Sequence, residues 1–238
     1  MSEPPRARFK GRTHRLINSR YPTIGVFDDV AESEDDLRAA FELEDLTNDR
    51  QTATARLQAL PGGAVAMGEA GASIVMAAFL HSDPRGGRFS DYRLGAWYVA
   101  ADLATAIEET VFHHERRLRA SAAGFPNRIQ MRELIADIDD SLLDLRGLQT
   151  SRPELYDADD YTASQAFAAA RRWPFVQPGE TGLIYESVRR PGGVNLCVFR
   201  PNAVPLPLLQ GEHYEYVWDA KGKLDVLKLT NVERPRPG

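Results

Sequence analysis

Apolar positions recur along this chain in two rhythms, a period of two in short bursts and one clear helical period in the middle. Thr13–Ile17 (THRLI) predicts a first strand, stopped by the turn at Tyr21-Pro22. From Asp28 to Asp49 the chain is acidic, with Leu37, Phe41 and Leu46 at roughly helical spacing, which reads as a helix with a solvated face. Pro61-Gly62-Gly63 breaks the pattern. Ala72–Leu80 is so uniformly apolar that periodicity alone does not separate helix from strand.

A glycine-marked loop follows, Asp83-Pro84-Arg85-Gly86-Gly87-Arg88. Ala96–Ala101 (AWYVAA) predicts a strand with Trp97 and Val99 on one face and Tyr98 on the other. Asp102 is suited to cap the strongest helix in the chain, Leu103 to about Arg119. Leu103, Ala106, Ile107, Val111 and Leu118 form its apolar stripe, and Arg116, Arg117 and Arg119 suit the negative end of its dipole. A second helix is predicted over Ser164–Arg172. Leu183–Val188 and Val194–Phe199 read as strands joined by the turn Arg190-Pro191-Gly192-Gly193. Tyr214–Trp218 and Leu224–Leu229 read as a closing hairpin around Ala220-Lys221-Gly222-Lys223. With no repeat and no dividing linker, the pattern predicts one α+β domain with a largely antiparallel sheet.

Composition narrows the function classes. The 238 residues are 43% hydrophobic and 26% charged, with a formal net charge of −5 and a pI near 5.6. A nucleic-acid binder is expected to be basic, so direct nucleic-acid contact is disfavoured. Cys197 is the sole cysteine, which excludes an internal disulfide framework and fits a reducing compartment. The polar start Met1-Ser-Glu-Pro-Pro-Arg lacks the apolar core of a signal peptide. Ala72–Leu80 falls far short of the roughly 20 residues a bilayer requires. A soluble, cytoplasmic protein without membrane contact is the expectation.

There is no dinucleotide-binding glycine motif after a strand, no phosphate-binding loop followed by Lys, no HExxH and no paired CxxC. His14, His81, His113, His114 and His213 do not fall at zinc-ligand spacing, so no metal site is expected. Glu109 and His113 lie four apart on the main helix beside Arg116, while Glu108 points to the opposite flank. By spacing alone such a pair is first a surface contact, worth about a few tenths of a kcal/mol. Arg88, after two glycines, suits an anion site because a guanidinium grips phosphate oxygens in a fork. By itself it is a loop arginine. Ser187 ends a strand in Tyr185-Glu186-Ser187-Val188-Arg189, and no GxSxG elbow marks it as a nucleophile.

Taken in order, these segments become specific. Gly86-Gly87-Arg88-Phe89-Ser90, then Trp97-Tyr98-Val99-Ala100, then the run from Ala106 to His113, then Tyr185 to Gly193 resemble the RES domain family. That family is named for an arginine, a glutamate and a serine, which here are Arg88, Glu109 and Ser187. Arg15, in Thr-His-Arg-Leu, takes the place of the family's early strand arginine. The chain departs from many members in having Phe89-Ser90 where they have Trp-Asn. It also has a longer stretch between Arg15 and Arg88, read as a helical insertion at about 28–70 in a single RES-type domain spanning 1–238.

The resemblance implies an ADP-ribosyltransferase-like fold with a split, largely antiparallel sheet core and flanking helices. It implies a toxin of a toxin–antitoxin module that consumes NAD⁺ at the nicotinamide–ribose bond by phosphorolysis or hydrolysis, neutralised by an Xre-type antitoxin. NAD⁺ is then a substrate, with inorganic phosphate as a candidate co-substrate and no bound cofactor. A protein ADP-ribosyltransferase using the same site is the alternative; an inert antitoxin-binding module is a further one, against which the intact Arg88, Glu109 and Ser187 speak. In these terms Glu109 stabilises the ribosyl cation, Arg88 and Arg15 clamp the pyrophosphate, Tyr98 packs against the nicotinamide or ribose, Ser187 bonds the nicotinamide end, and His113 supports the acceptor or ribose.

Overall fold

The computed structural model describes residues 3–21 and 51–230. The acidic stretch read as a helix over 28–49 lies outside them. In chain order the elements are β1 (Arg6–Asn18), α1 (Gln51–Gln58), α2 (Ala72–Leu80), β2 (Trp97–Ala100), α3 (Leu103–Ala120), β3 (Asn127–Asp144), α4 (Thr162–Ala169), β4 (Gly182–Glu186), β5 (Val194–Val198), β6 (Leu209–Trp218) and β7 (Leu224–Leu229).

The strands form a seven-stranded sheet in the order β1-β2-β5-β4-β3-β6-β7, and β1 also pairs with β3, so the sheet curls back on itself. Every pairing is antiparallel except β3 with β4. Two seams are short. β1 meets β2 at His14 and Ala100, and β3 meets β4 at Leu143–Leu183 and Asp144–Ile184. The sheet is therefore split into β7-β6-β3-β1 and β2-β5-β4, joined narrowly at both ends. The architecture is α+β, as expected.

Alternation sorts the side chains cleanly. Trp97 and Val99 of β2, Leu196 and Val198 of β5, and Leu134, Ala136 and Ile138 of β3 face one core, covered by α1 and α2 through Leu57, Val75, Met76 and Phe79. On the other face α3 lays Ala106, Val111 and Leu118 against Leu16, Ala100, Met131, Tyr214 and Tyr216. Asp102 caps α3 by accepting the Thr105 N–H at 2.9 Å, a contact of about 1 kcal/mol. A third cluster joins Phe89, Leu155 and Phe167 to Leu183, Tyr185 and Cys197.

Several elements extend, correct or settle the sequence reading, β6 among them, which begins at Leu209 rather than Tyr214. β3 carries no prediction, because Met131-Arg-Glu-Leu-Ile-Ala-Asp is rich in helix formers; long pairing with β1 and β6 overrides that preference. β1 begins at Arg6 rather than Thr13. Its outer positions Arg8, Lys10 and Arg12 are charged and meet Asp139 and Asp137 of β3 across the ladder. Ala72–Leu80 is a helix, packed by its apolar residues into the first core. α4 stops at Ala169, three residues before the predicted end. Arg172 then turns inward, buried, to donate to the carbonyls of Leu94 at 3.0 Å and Gly95 at 2.7 Å.

Candidate active site

Three segments converge on the α3 face of the split sheet: the second turn of α3, the turn between β4 and β5, and the glycine loop before β2. The turn is held close to the helix. A Cβ on Gly193 would stand 2.5 Å from Thr105 Oγ1, so only glycine permits that approach. Arg190 reinforces the junction by donating to Thr105 Oγ1 at 3.2 Å. This places Ser187, just past β4, beside Glu109.

Ser187 Oγ donates to Glu109 Oε1 at 2.7 Å. The same oxygen accepts from Asn195 Nδ2 at 2.6 Å. The backbone N–H groups of Arg189 and Arg190 donate to Ser187 Oγ at 3.1 and 3.0 Å, which fixes the hydroxyl with its proton toward the carboxylate. Glu109 is thus gripped by one oxygen, while Oε2 bonds to no described residue. It is a held carboxylate with one face open. The resemblance assigns Ser187 to the nicotinamide end; in this structure its hydroxyl donates to Glu109 and accepts from two N–H groups of the turn.

Asn195 is the functional residue that sequence reasoning missed. It is buried on β5, on the same face as Cys197, and pairs in register with Tyr185 of β4 and Ala100 of β2. A lone amide within Val194-Asn-Leu-Cys-Val was the available signal, because a buried amide needs a partner.

Arg88 is also buried, launched from a loop whose glycines are required. Gly86 has φ +72°, and a Cβ on Gly87 would meet Tyr98 Oη at 2.8 Å. Arg88 Nη1 donates to the carbonyls of Leu155 at 3.1 Å and Asp157 at 2.7 Å, and its guanidinium lies 4.7 Å from the Tyr161 ring centroid. Its Nε and Nη2 have no hydrogen bond to a described residue. One nitrogen of the guanidinium braces the 155–157 wall. Arg189 donates to Ala158 O and stacks 3.3 Å from the Phe112 centroid, and Arg116 comes within 3.9 Å of Asp159, so three arginines border one loop.

The other predicted residues lie as follows. Tyr98 supports the glycine loop: its hydroxyl accepts the Phe89 N–H at 2.9 Å and lies 3.0 Å from Ser90 Oγ. Burial raises its pKa well above the ordinary value, so it remains a phenol. His113 is exposed on α3 with its ring against Phe112. Desolvation, then Arg189, Arg117 and Arg116, lower its pKa to about 4. Glu108 is exposed and faces away from the cluster, toward Tyr216, as the helical wheel requires.

Arg15 is not brought to Glu109. It projects from the face of β1 opposite His14 and Leu16, which α3 covers. There it donates to Tyr98 O at 2.8 Å and lies 4.7 Å from the Trp97 ring centroid. It bridges the narrow seam between β1 and β2. Burial draws its pKa down to about 10, which leaves it charged at pH 7.

The RES domain family model matches residues 66–219, the span that holds Arg88, Glu109 and Ser187. The chain belongs to the RES domain family. An uncharacterized Sinorhizobium fredii protein, y4oC, is 28% identical over 213 residues, covering 88% of this chain and 84% of its own. A chain of the M. tuberculosis MbcT–MbcA toxin–antitoxin complex covers 88% of this chain and 86% of its own at 14% identity, with a TM-score of 0.43. In this RES domain Glu109 is bonded by Ser187 and Asn195, while Arg88 is bonded to the carbonyls of Leu155 and Asp157.

Proposed function

We propose that this RES protein is an NAD⁺-degrading toxin that cleaves the nicotinamide–ribose bond and passes the ADP-ribosyl group to phosphate or water. The observation that carries the reading is the Glu109 carboxylate, fixed at Oε1 by Ser187 and Asn195 and open at Oε2. When the C1′–N bond breaks, its electron pair leaves on the nicotinamide nitrogen, so nicotinamide departs neutral and needs no general acid. Positive charge grows on the ribose at the same moment. A carboxylate already oriented stabilises that charge without reorganising. The acceptor oxygen then bonds C1′; with water, one proton is released to solvent.

Arg88 supports the same reading from the ground state. Its two uncommitted nitrogens offer donors to pyrophosphate oxygens, binding substrate and transition state alike. Arg116, Arg189 and Arg190 add positive charge around the opening, which attracts an anionic dinucleotide. An antitoxin of the Xre type that covers this basic mouth with an acidic segment would neutralise the enzyme, and the expected compartment is the cytoplasm, where NAD⁺ is available.

The test is direct. Purified protein is incubated with NAD⁺, with and without inorganic phosphate, and products are identified by mass spectrometry. Nicotinamide with ADP-ribose phosphate indicates phosphorolysis, and nicotinamide with ADP-ribose indicates hydrolysis. Intact NAD⁺ in both arms contradicts the proposal.

A further inference from the structure

Arg88 is gripped at both ends from one flank of α4. At its backbone end, the Gly87 N–H donates to Ser90 O at 2.7 Å and the Ser90 N–H returns to Gly87 O at 3.4 Å. Arg88 and Phe89 therefore form the tip of a tight turn. Gln165 of α4 holds the base of that turn: its Nε2 donates to Arg85 O at 2.8 Å and to Gly87 O at 3.0 Å. At the guanidinium end stands Tyr161, whose ring centroid lies 4.7 Å from Arg88 Cζ. The Gln165 N–H donates to Tyr161 O at 2.8 Å, so the two side chains lie one helical turn apart.

The residue types follow from what they hold. Two carbonyl oxygens aimed at one point repel unless donors stand between them. A primary amide supplies two N–H groups, whereas a hydroxyl has one and a carboxylate none. The fit is close: Gly86 has φ +72°, and a Cβ there would stand 2.1 Å from Ser90 O and 2.9 Å from Gln165 Nε2. α4 is itself fixed, because Phe167 and Ala168 belong to the same core cluster as Phe89. The clasp is reciprocal. Gln165 holds the backbone of the glycine turn, and Arg88 Nη1 holds the backbone of the segment leading into α4, at Leu155 and Asp157.

We propose that Gln165 and Tyr161 are positioning residues for Arg88: Gln165 sets where its side chain starts, and Tyr161 sets where its guanidinium ends. This rests on the NAD⁺ reading for what Arg88 grips, the pyrophosphate. A long side chain gives up rotamer freedom when it closes on an anion. Fixing both ends beforehand removes part of that cost. Affinity for the anion then depends on α4, and it does so through Arg88 alone.

The experiment is a double-variant cycle, read by titration calorimetry of the full chain with ADP-ribose. Gln165→Met keeps the length of the side chain and removes both donors. It is expected to weaken ADP-ribose about tenfold in the wild-type background, the scale of one or two neutral hydrogen bonds, and to have no further effect in Arg88→Ala. Tyr161→Leu is expected to follow the same pattern. A loss that persists in Arg88→Ala, or no loss in the wild-type background, overturns the assignment. Hydrogen exchange over residues 85–91 gives a readout that needs no ligand. The amides of Gly87 and Ser90 should exchange faster in Gln165→Met, and unchanged exchange also overturns the role. The two readings fail separately. If the wild type does not bind ADP-ribose, the NAD⁺ reading falls, and exchange at Gly87 and Ser90 alone decides whether Gln165 holds the Arg88 turn.

Discussion

Ser187 Oγ stands 2.7 Å from Glu109 Oε1 and is itself held by two backbone N–H groups of the turn that follows it. On the proposed function the serine acts as a positioning residue for the glutamate.

Loss of that hold should appear in turnover more than in binding. Ser187→Ala frees one contact to Oε1 and Asn195→Ala frees the other. Each is expected to lower kcat by about 10- to 100-fold, with the double variant less than the product of the two, because both act on one oxygen. For Ser187→Ala, KM should stay nearly level. Steady-state NAD⁺ kinetics decide this; a Ser187→Ala variant with raised KM and normal kcat assigns the serine to substrate instead.

Arg88 should behave in the opposite way. Removing it takes away donors present in ground and transition states alike, so Arg88→Ala is expected to raise the Kd for ADP-ribose by about 10²-fold. Its Nη1 also ties down the carbonyls of Leu155 and Asp157. Limited proteolysis should therefore cut the 155–161 segment faster in the variant. Unchanged affinity in calorimetry contradicts the role.

Gly87 tests the seat of the arginine. Its missing Cβ would stand 2.8 Å from Tyr98 Oη, so Gly87→Ala forces the loop or the phenol to shift. A destabilisation of about 1–3 kcal/mol with reduced NAD⁺ turnover is expected. Adding Tyr98→Phe removes the nearest of the three ring atoms that the Cβ meets, at the cost of the Phe89 N–H acceptor, and should recover part of the melting temperature. No recovery places the strain elsewhere.

Acid should loosen the α3 face. His114 is buried beside Tyr216, and desolvation, with Arg117 and Arg20, lowers its pKa to about 4. The unfolded chain binds that proton at a pH near 6.5, so the stability due to the neutral ring is complete above that pH and is lost as pH falls toward about 4. Thermal melts at pH 7 and pH 5 should show a smaller drop for His114→Leu than for wild type. Parallel drops refute the assignment.

How much of this was legible in the chain depended on how each side chain earns its burial. The segment from Trp97 to Arg119 could be read closely, because a period of two passes into a capped helical stripe at Asp102. Arg88 could be read because the glycines before it signal a tight loop. β3 could not, since its local preference is helical and only long-range pairing makes it a strand. Asn195 sits in a strand where a lone amide carries little signal; its bond to Glu109 exists only once β5 and α3 are packed together. Arg15 shows the reverse, a residue singled out by order along the chain whose strand face points it at Trp97 and the sheet seam.

The central claim is that the charge of Glu109 drives cleavage, and Glu109→Gln tests it most directly. Glutamine can keep an oxygen toward Ser187 and Asn195 while removing the negative charge, so the geometry survives and the electrostatics do not. Release of nicotinamide from NAD⁺ is measured for wild type, Glu109→Gln and Glu108→Gln, with ADP-ribose affinity recorded alongside. The account predicts a loss of about 10²-fold or more in kcat for Glu109→Gln, with affinity nearly retained and Glu108→Gln indistinguishable from wild type. Near-normal turnover in Glu109→Gln would contradict it.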